Sequence, residues 1–216
     1  MDNWTELIDD LVAGRWINPE TQDFASVPFE SIVIKENMEG QEVELLKQVG
    51  LSKNLLLVCD VTTYKVLGKR IENAFRASGE MEVMILDHPH ADLGFVENLR
   101  PKLSSFDGVV ACGSGTVNDI CKHSTMLNGQ RYAVFATSGS MNGYTSATAS
   151  MRLDSGLKIS LPSHAPAGFF VDLSVSASAP PYLAASGFGD CLCRSVAQVD
   201  WWLSHRLLGT LYLQSP

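Results

Sequence analysis

The chain has 216 residues, 45% of them hydrophobic and 19% charged, and a formal net charge of -8. That length suits one sizeable α/β domain, or one domain and the beginning of a second, with a real apolar core. The acidic balance argues against nucleic acid or a membrane surface as partner, because either would need a clustered basic face. Lys65, Lys69, Arg70 and Arg76 do fall near one another, but they read as the solvated side of a helix.

In chain order, residues 4–12 predict a short amphipathic helix with Trp4, Leu7, Ile8 and Leu11 on one face, followed by the Asn18-Pro19-Glu20 turn. Residues 31–35 predict a strand and 39–49 a helix ending near Gly50. The continuous apolar run 55–60, closing on Asp60, has the pattern of a strand buried on both faces. A helix follows over 63–78, with Gly79 suited to a left-handed cap. Residues 81–86 predict a strand, 95–103 a helix and 108–112 another strand. A further strand is expected over 132–137, a hairpin arm over 152–161 and a strand over 168–173. From Pro180 the pattern turns helical, with a break at Gly187-Phe188-Gly189 and a second helix from Asp190 to about Leu208. Strands alternating with helices predict βαβ units and a parallel, doubly wound sheet, whose ligands bind beyond the carboxyl ends of the strands.

Two features occupy such ends. Asp60 closes one strand, where it can also cap the next helix in competition with Thr62 and Thr63. The run Val109-Val110-Ala111-Cys112-Gly113-Ser114-Gly115-Thr116-Val117-Asn118-Asp119 closes another and opens a helix. Small residues at a helix N-terminus leave backbone N–H groups open to a phosphate, although the same corner serves purely conformational ends in many α/β proteins. Ser138 to Ser146 is a long stretch of small polar residues able to line a polar ligand or to serve only as a flexible connection. The five cysteines are Cys59, Cys112, Cys121, Cys191 and Cys193; an odd count, two of them in apparent buried strands, points to reduced thiols in the cytoplasm. Cys191-Leu192-Cys193 lacks the spacing and the second pair of a zinc site. No apolar run approaches the ~20 residues of a membrane span, and Met1-Asp2-Asn3 does not begin like a signal peptide.

Three motifs in order carry a resemblance: Gly113-Ser114-Gly115-Thr116-x-x-Asp119, then Thr137-Ser138-x-Ser140-Met141-x-Gly143-Tyr144-x-Ser146, then Ser186-Gly187-Phe188-Gly189-Asp190. Together they resemble the sn-glycerol-1-phosphate dehydrogenases, in the superfamily of iron-type alcohol dehydrogenases, glycerol dehydrogenases and dehydroquinate synthases. The stretches 4–21 and 200–209 look like the bacterial branch. The resemblance implies an NAD(P)-dependent interconversion of dihydroxyacetone phosphate and sn-glycerol 1-phosphate, with one divalent metal, zinc or nickel. The substrate is then a small phosphorylated three-carbon compound, for which Lys158 or Arg152 could supply a basic contact. The expected fold is a Rossmann-like parallel sheet with flanking helices over 1–175, then over 176–216 the first helices of a truncated all-α domain. Carried over by motif, Gly113, Ser114, Gly115, Thr116 and Val117 would hold the cofactor pyrophosphate. Thr137, Ser138, Gly139, Ser140 and Ser146 would meet the rest of the dinucleotide, and Asp60 its adenosine end. Asp190 matches the metal-ligand aspartate that also meets substrate, with a helix N-cap as its plain alternative.

Two departures stand against full activity. Asn142 replaces the aspartate of the family's Ser-Met-Asp-Gly motif, keeping an acceptor oxygen while losing the charge. The family's two metal-binding histidines lie beyond the point where this sequence ends, and none of His88, His90, His123, His164 and His205 falls in a matching motif. Trp201, Trp202, Leu207, Leu208, Leu211 and Leu213 would then lack covering helices, which predicts a homo-oligomer or a covering partner. Two other functions stay open: a noncatalytic nucleotide-binding module, or a fragment complemented by another polypeptide, and a glycerol dehydrogenase-like polyol oxidoreductase. A carboxylate at Asp60 or Asp87 favours NADH over NADPH by repelling a 2′-phosphate.

Overall fold

A computed structural model describes residues 4–19, 22–24, 27–76 and 80–212. Helix α1 (Trp4–Val12) leads into strand β1 (Ser31–Lys35) and helix α2 (Glu42–Gln48). Strand β2 (Leu55–Asp60) is followed by α3 (Val61–Thr63), a π-helical turn (Tyr64–Gly68) and α4 (Lys69–Phe75). Then come β3 (Met81–Leu86), α5 (Leu93–Leu103), β4 (Gly108–Gly113), α6 (Gly115–Asn128) and β5 (Arg131–Ala136). Strands β6 (Thr148–Arg152) and β7 (Lys158–Pro162) precede β8 (Gly168–Asp172), α7 (Leu173–Ala177) and α8 (Pro181–Leu208).

Six strands form one sheet in the order β1-β8-β5-β4-β2-β3, every pair parallel. The expected Rossmann-like architecture is therefore the observed one. Its strands carry apolar side chains on both faces: Leu55, Leu57 and Cys59 enter one core with Ile71, Phe75, Phe135 and Phe170. Leu56 and Val58 enter the other with Val96, Leu99, Ile120 and Val134. Both faces covered is the condition under which parallel strands read as unbroken hydrophobic runs. Strands β6 and β7 make a separate antiparallel hairpin. It buries Ala149 and Met151, while Thr148, Ser150, Arg152, Lys158 and Ser160 face a cleft.

The topology places the ligand crevice. From β2 the chain passes to β3 on one side, whereas from β4 it passes to β5 on the other. β2 and β4 are direct neighbours, with Cys59 opposite Cys112. Loops leaving neighbouring strand ends in opposite directions open a crevice, and Asp60 and Gly113 sit at its two lips.

Several expectations need correction. The helix expected over 63–78 starts at Val61 and carries a π turn; Ser78 and Gly79 lie outside the described residues, as do Glu20, Leu213 and the Trp4 side chain. Arg70 is no solvated surface charge. It is 24% exposed and pairs with Glu42 at 2.6 Å and Asp172 at 2.7 Å, tying α2, α4 and the end of β8 together. The break expected at Gly187-Phe188-Gly189 does not occur: α8 runs unbroken over 28 residues to Gly209, which takes the left-handed conformation at φ 69°. Gly187 serves a close approach instead. A Cβ there would lie 1.8 Å from the Gly139 carbonyl oxygen, so the helix rests directly on the backbone of the preceding loop.

Candidate nucleotide and substrate cleft

The lip at β4 is built by exclusion of side chains. A Cβ on Gly113 would meet the Val117 Cβ at 2.7 Å, so the strand can turn into α6 this tightly only with glycine there. Gly115 lies under Met141, whose sulfur would be 3.1 Å from an added Cβ. Ser114 is the N-cap but its side chain makes no capping hydrogen bond. The first helical bond runs from Asn118 N–H to the Ser114 carbonyl at 3.0 Å. The N–H groups of Gly115, Thr116 and Val117 therefore project from the helix end, where the dipole favours an anion.

Asp60 is committed to a cap. Its carboxylate accepts from Thr62 N–H at 2.7 Å and Thr63 N–H at 2.8 Å, and the Thr63 hydroxyl accepts from Asp60 N–H at 3.0 Å. The capping alternative is thus realised, and Asp60 also lines the first of two clefts. That cleft, about 530 Å³, is bounded by the ends of β2 and β3, Ser114, Thr137, Ser138 and the start of α8. Ser138 is 3% exposed, and its hydroxyl has no hydrogen-bond partner among the described residues. A buried hydroxyl without a partner is costly unless something else satisfies it.

The second cleft, about 850 Å³, continues past Ser114. It is lined by Gly115, Thr116, Ser140, Asn142, Ser146 and Asp190, with the polar face of the β6–β7 hairpin opposite. Of the candidates, Gly113, Val117 and Gly139 line neither cleft. Gly113 is packed on Val117, the Val117 side chain belongs to the core, and Gly139 lies beneath Gly187. Asp190 sits in the interior of α8, so it caps nothing. Its carboxylate accepts the backbone N–H of Asn142 at 2.7 Å, joining α8 to the loop that carries the substituted position.

Among the described residues no group of three or more His, Cys, Asp or Glu side chains could hold a metal ion. Zinc sites need at least three protein ligands, and Asp190 alone does not supply them. His88 lies near Asp87 on the surface and gathers no further ligands.

The motif reading contained Asp119 without giving it a role, and it missed Lys122. Asp119 lines the second cleft and accepts the Ser150 N–H at 3.1 Å. Burial raises its pKa above the usual carboxylate value despite opposing contributions from Lys122 and these hydrogen bonds. Lys122 is fully buried, and burial lowers its pKa to about 8 against the pull of Asp119. The signal available was their spacing of three within a helix, which puts both on one face.

Residues 33–180 match the family model described as iron-containing alcohol dehydrogenase. The chain belongs to that family. It is 31% identical over 196 residues to a glycerol-1-phosphate dehydrogenase of Bacillus velezensis, covering 88% of this chain and 49% of that one. With one from Thermococcus kodakarensis it shares 30% over 183 residues, 84% and 52% of the two chains. Both names specify NAD(P)+. The chain thus spans about half the length of the curated relatives it matches. Among solved structures, a glycerol dehydrogenase from Schizosaccharomyces pombe aligns at TM-score 0.67 and 18% identity, over 77% of this chain and 43% of that one. A sulfoacetaldehyde reductase from Bifidobacterium kashiwanohense, solved with NAD+, aligns at 0.67 and 17%, over 80% and 52%. These likenesses concern the fold.

Proposed function

We propose that this chain is the nucleotide-binding part of an NAD(P)-dependent oxidoreductase that interconverts dihydroxyacetone phosphate and sn-glycerol 1-phosphate. The observation that carries the reading is the uncapped N-terminus of α6, set at the crevice between β2 and β4 where both clefts meet at Ser114. The pyrophosphate would lie on the N–H groups of Gly115, Thr116 and Val117. The adenosine would occupy the first cleft beside Asp60, with Thr137 and the unpartnered Ser138 hydroxyl as hydrogen-bonding groups. Asp60 and Asp87 both line that cleft, and their carboxylates would repel a 2′-phosphate, favouring NADH. The nicotinamide and substrate would share the second cleft with Ser140, Asn142, Ser146 and Asp190. Arg152 and Lys158, opposite one another on the hairpin, are the basic groups for a substrate phosphate. A substrate without phosphate, as in a glycerol dehydrogenase-like reaction, would leave that pair unused.

Residues 1–175 are the nucleotide domain in this reading and 176–216 the beginning of a helical one. The divalent metal of the family would be a Lewis acid at the carbonyl. The described ligand set does not fit it. Exposed Phe188, Leu192, Trp201, Trp202 and Leu207 on α8 support a homo-oligomer. The free state of all five thiols supports a reducing compartment such as the cytoplasm. The Asn142 substitution favours a second reading, a noncatalytic nucleotide-binding module.

An NADH fluorescence titration with and without zinc or nickel tests both. Saturable binding that ignores metal supports the module. Binding that tightens with metal supports the enzyme, to be followed by dihydroxyacetone phosphate reduction. Absence of binding refutes the nucleotide site.

A further inference from the structure

Helix α6 is buried from Val117 through Thr125, although this stretch includes Asn118, Asp119, Lys122, His123, Ser124 and Thr125. Such a helix is enclosed on every side, and its polar groups must find partners inside the fold. Lys122 finds three. Its ammonium donates to the Gly143 carbonyl at 2.8 Å, the Thr148 carbonyl at 3.1 Å and the Ser146 hydroxyl at 3.2 Å. One turn earlier, Asp119 accepts the Ser150 N–H at 3.1 Å, and its carboxylate lies 4.0 Å from the Lys122 ammonium. Two side chains of one helix thus grip four points along residues 143–150. That segment forms the wall of the second cleft beside Asn142 and Ser146.

We infer that Lys122, with Asp119, is a positioning residue: it holds the loop after Ser140 and the first hairpin strand in the shape that receives a ligand. Three N–H donors facing three acceptors fit an ammonium and nothing else. A neutral amine offers two donors and turns a lone pair toward one of those oxygens. Methionine offers no donor at all and leaves buried carbonyls unpaired. The charged groups around Lys122 are few. Asp119 faces it from its own helix, and Lys158 of β7 acts on Asp119. The His164 ring approaches from the segment before β8, bonded to Thr125 at 2.8 Å and kept neutral by burial and by Lys122. The loop and hairpin present neutral acceptors to the ammonium.

The inference needs a ligand in the polar cleft, as the proposed function does, but it does not depend on the reaction. Lys122→Met in the full chain tests it by hydrogen exchange and NADH titration across about pH 7 to about pH 9.5. The expected result is amide exchange about tenfold faster in residues 143–150, and NADH affinity about tenfold weaker. Wild-type affinity should fall as pH rises through the Lys122 titration, while the variant stays weak and flat. A merely structural lysine would lower the unfolding temperature and leave the pH profile unchanged. A folded Lys122→Met protein with exchange within about twofold of wild type and a parallel pH profile overturns the inference. Should that variant fail to fold, Ser146→Ala removes one acceptor, and unchanged exchange in 143–150 overturns it equally. If wild type binds no NADH, the nucleotide reading fails while the exchange comparison still judges Lys122.

Discussion

Replacing either of two glycines two residues apart in α8 should have effects of opposite sign. At Gly187 a Cβ would lie 1.8 Å from the Gly139 oxygen, 2.9 Å from its carbonyl carbon and 3.3 Å from the Ser140 carbon. All are backbone atoms, so no rotamer change relieves them. At Gly189 an added Cβ meets nothing within 4 Å. Alanine in an exposed helix interior gains about 1 kcal/mol over glycine. Gly189→Ala should therefore raise the unfolding temperature by roughly 2–4 °C. For Gly187→Ala the same gain is set against overpacking of about 1–3 kcal/mol. It is also set against the charge-assisted bond from Asn142 N–H to Asp190, 2.7 Å long and three residues further on, worth about 1.5 kcal/mol. Moving α8 far enough to seat the methyl, more than about 1 Å, breaks that bond. The net expectation is a loss of about 1.5–3.5 kcal/mol and weaker NADH binding, since α8 walls both clefts. Thermal unfolding and NADH titration of the two variants side by side make the comparison. A Gly187→Ala protein as stable as Gly189→Ala, with wild-type affinity, would refute the close seating of α8 on the loop.

Acid should weaken the fold through Asp172. Burial alone would raise its pKa, but hydrogen bonds from Ser174, Arg70, Met38 and Val175 outweigh that and hold it at about 2. A folded value below the unfolded one of about 3.9 gives a stabilisation of about 2–3 kcal/mol. It is fully present above about pH 4 and disappears as pH falls toward 2; Asp172→Asn should flatten that part of the acid-unfolding curve. The thiols should divide by location. Cys191 and Cys193 are exposed and should react with a thiol reagent in the folded protein. Cys59, Cys112 and Cys121 are buried, with burial raising all three pKa values and taking Cys59 to about 12, so they should react only on unfolding.

The strands were legible because burial on both faces leaves continuous apolar runs; the expected spans 31–35, 55–60 and 81–86 are those observed. The lips of the crevice were legible too, since Asp60 and the glycine turn close such runs. Their adjacency was not: it follows from the chain crossing from β3 back over β2, so that β4 pairs on the far side of β2, which no local pattern encodes. The glycines of α8 misled for a related reason. A glycine in a helical pattern signals either a break or a close approach, and the Gly139 carbonyl that decides between them lies on a distant loop. Arg70 and Lys122 were hidden by charge. A cation on a helix reads as solvated unless the carboxylates or carbonyls meeting it are known, and those come from β8, α2 and the loop after β5.

The two clefts meet at Ser114 but are held by different means. The first is bounded largely by the ends of parallel strands, whose positions the sheet and both cores fix. The second depends on a loop and a hairpin held to α6 by Asp119 and Lys122, and to α8 by the Asn142–Asp190 bond and the Gly187 contact. Damage to α8 or to the Asp119–Lys122 pair should therefore fall first on the cleft proposed for nicotinamide and substrate, and only later on the one proposed for adenosine. Adenosine diphosphate should accordingly keep most of its affinity in Gly187→Ala and Lys122→Met, while NADH loses it. Equal losses for the two ligands would mean that the clefts form one cooperative unit and that the sheet alone does not hold the adenosine side.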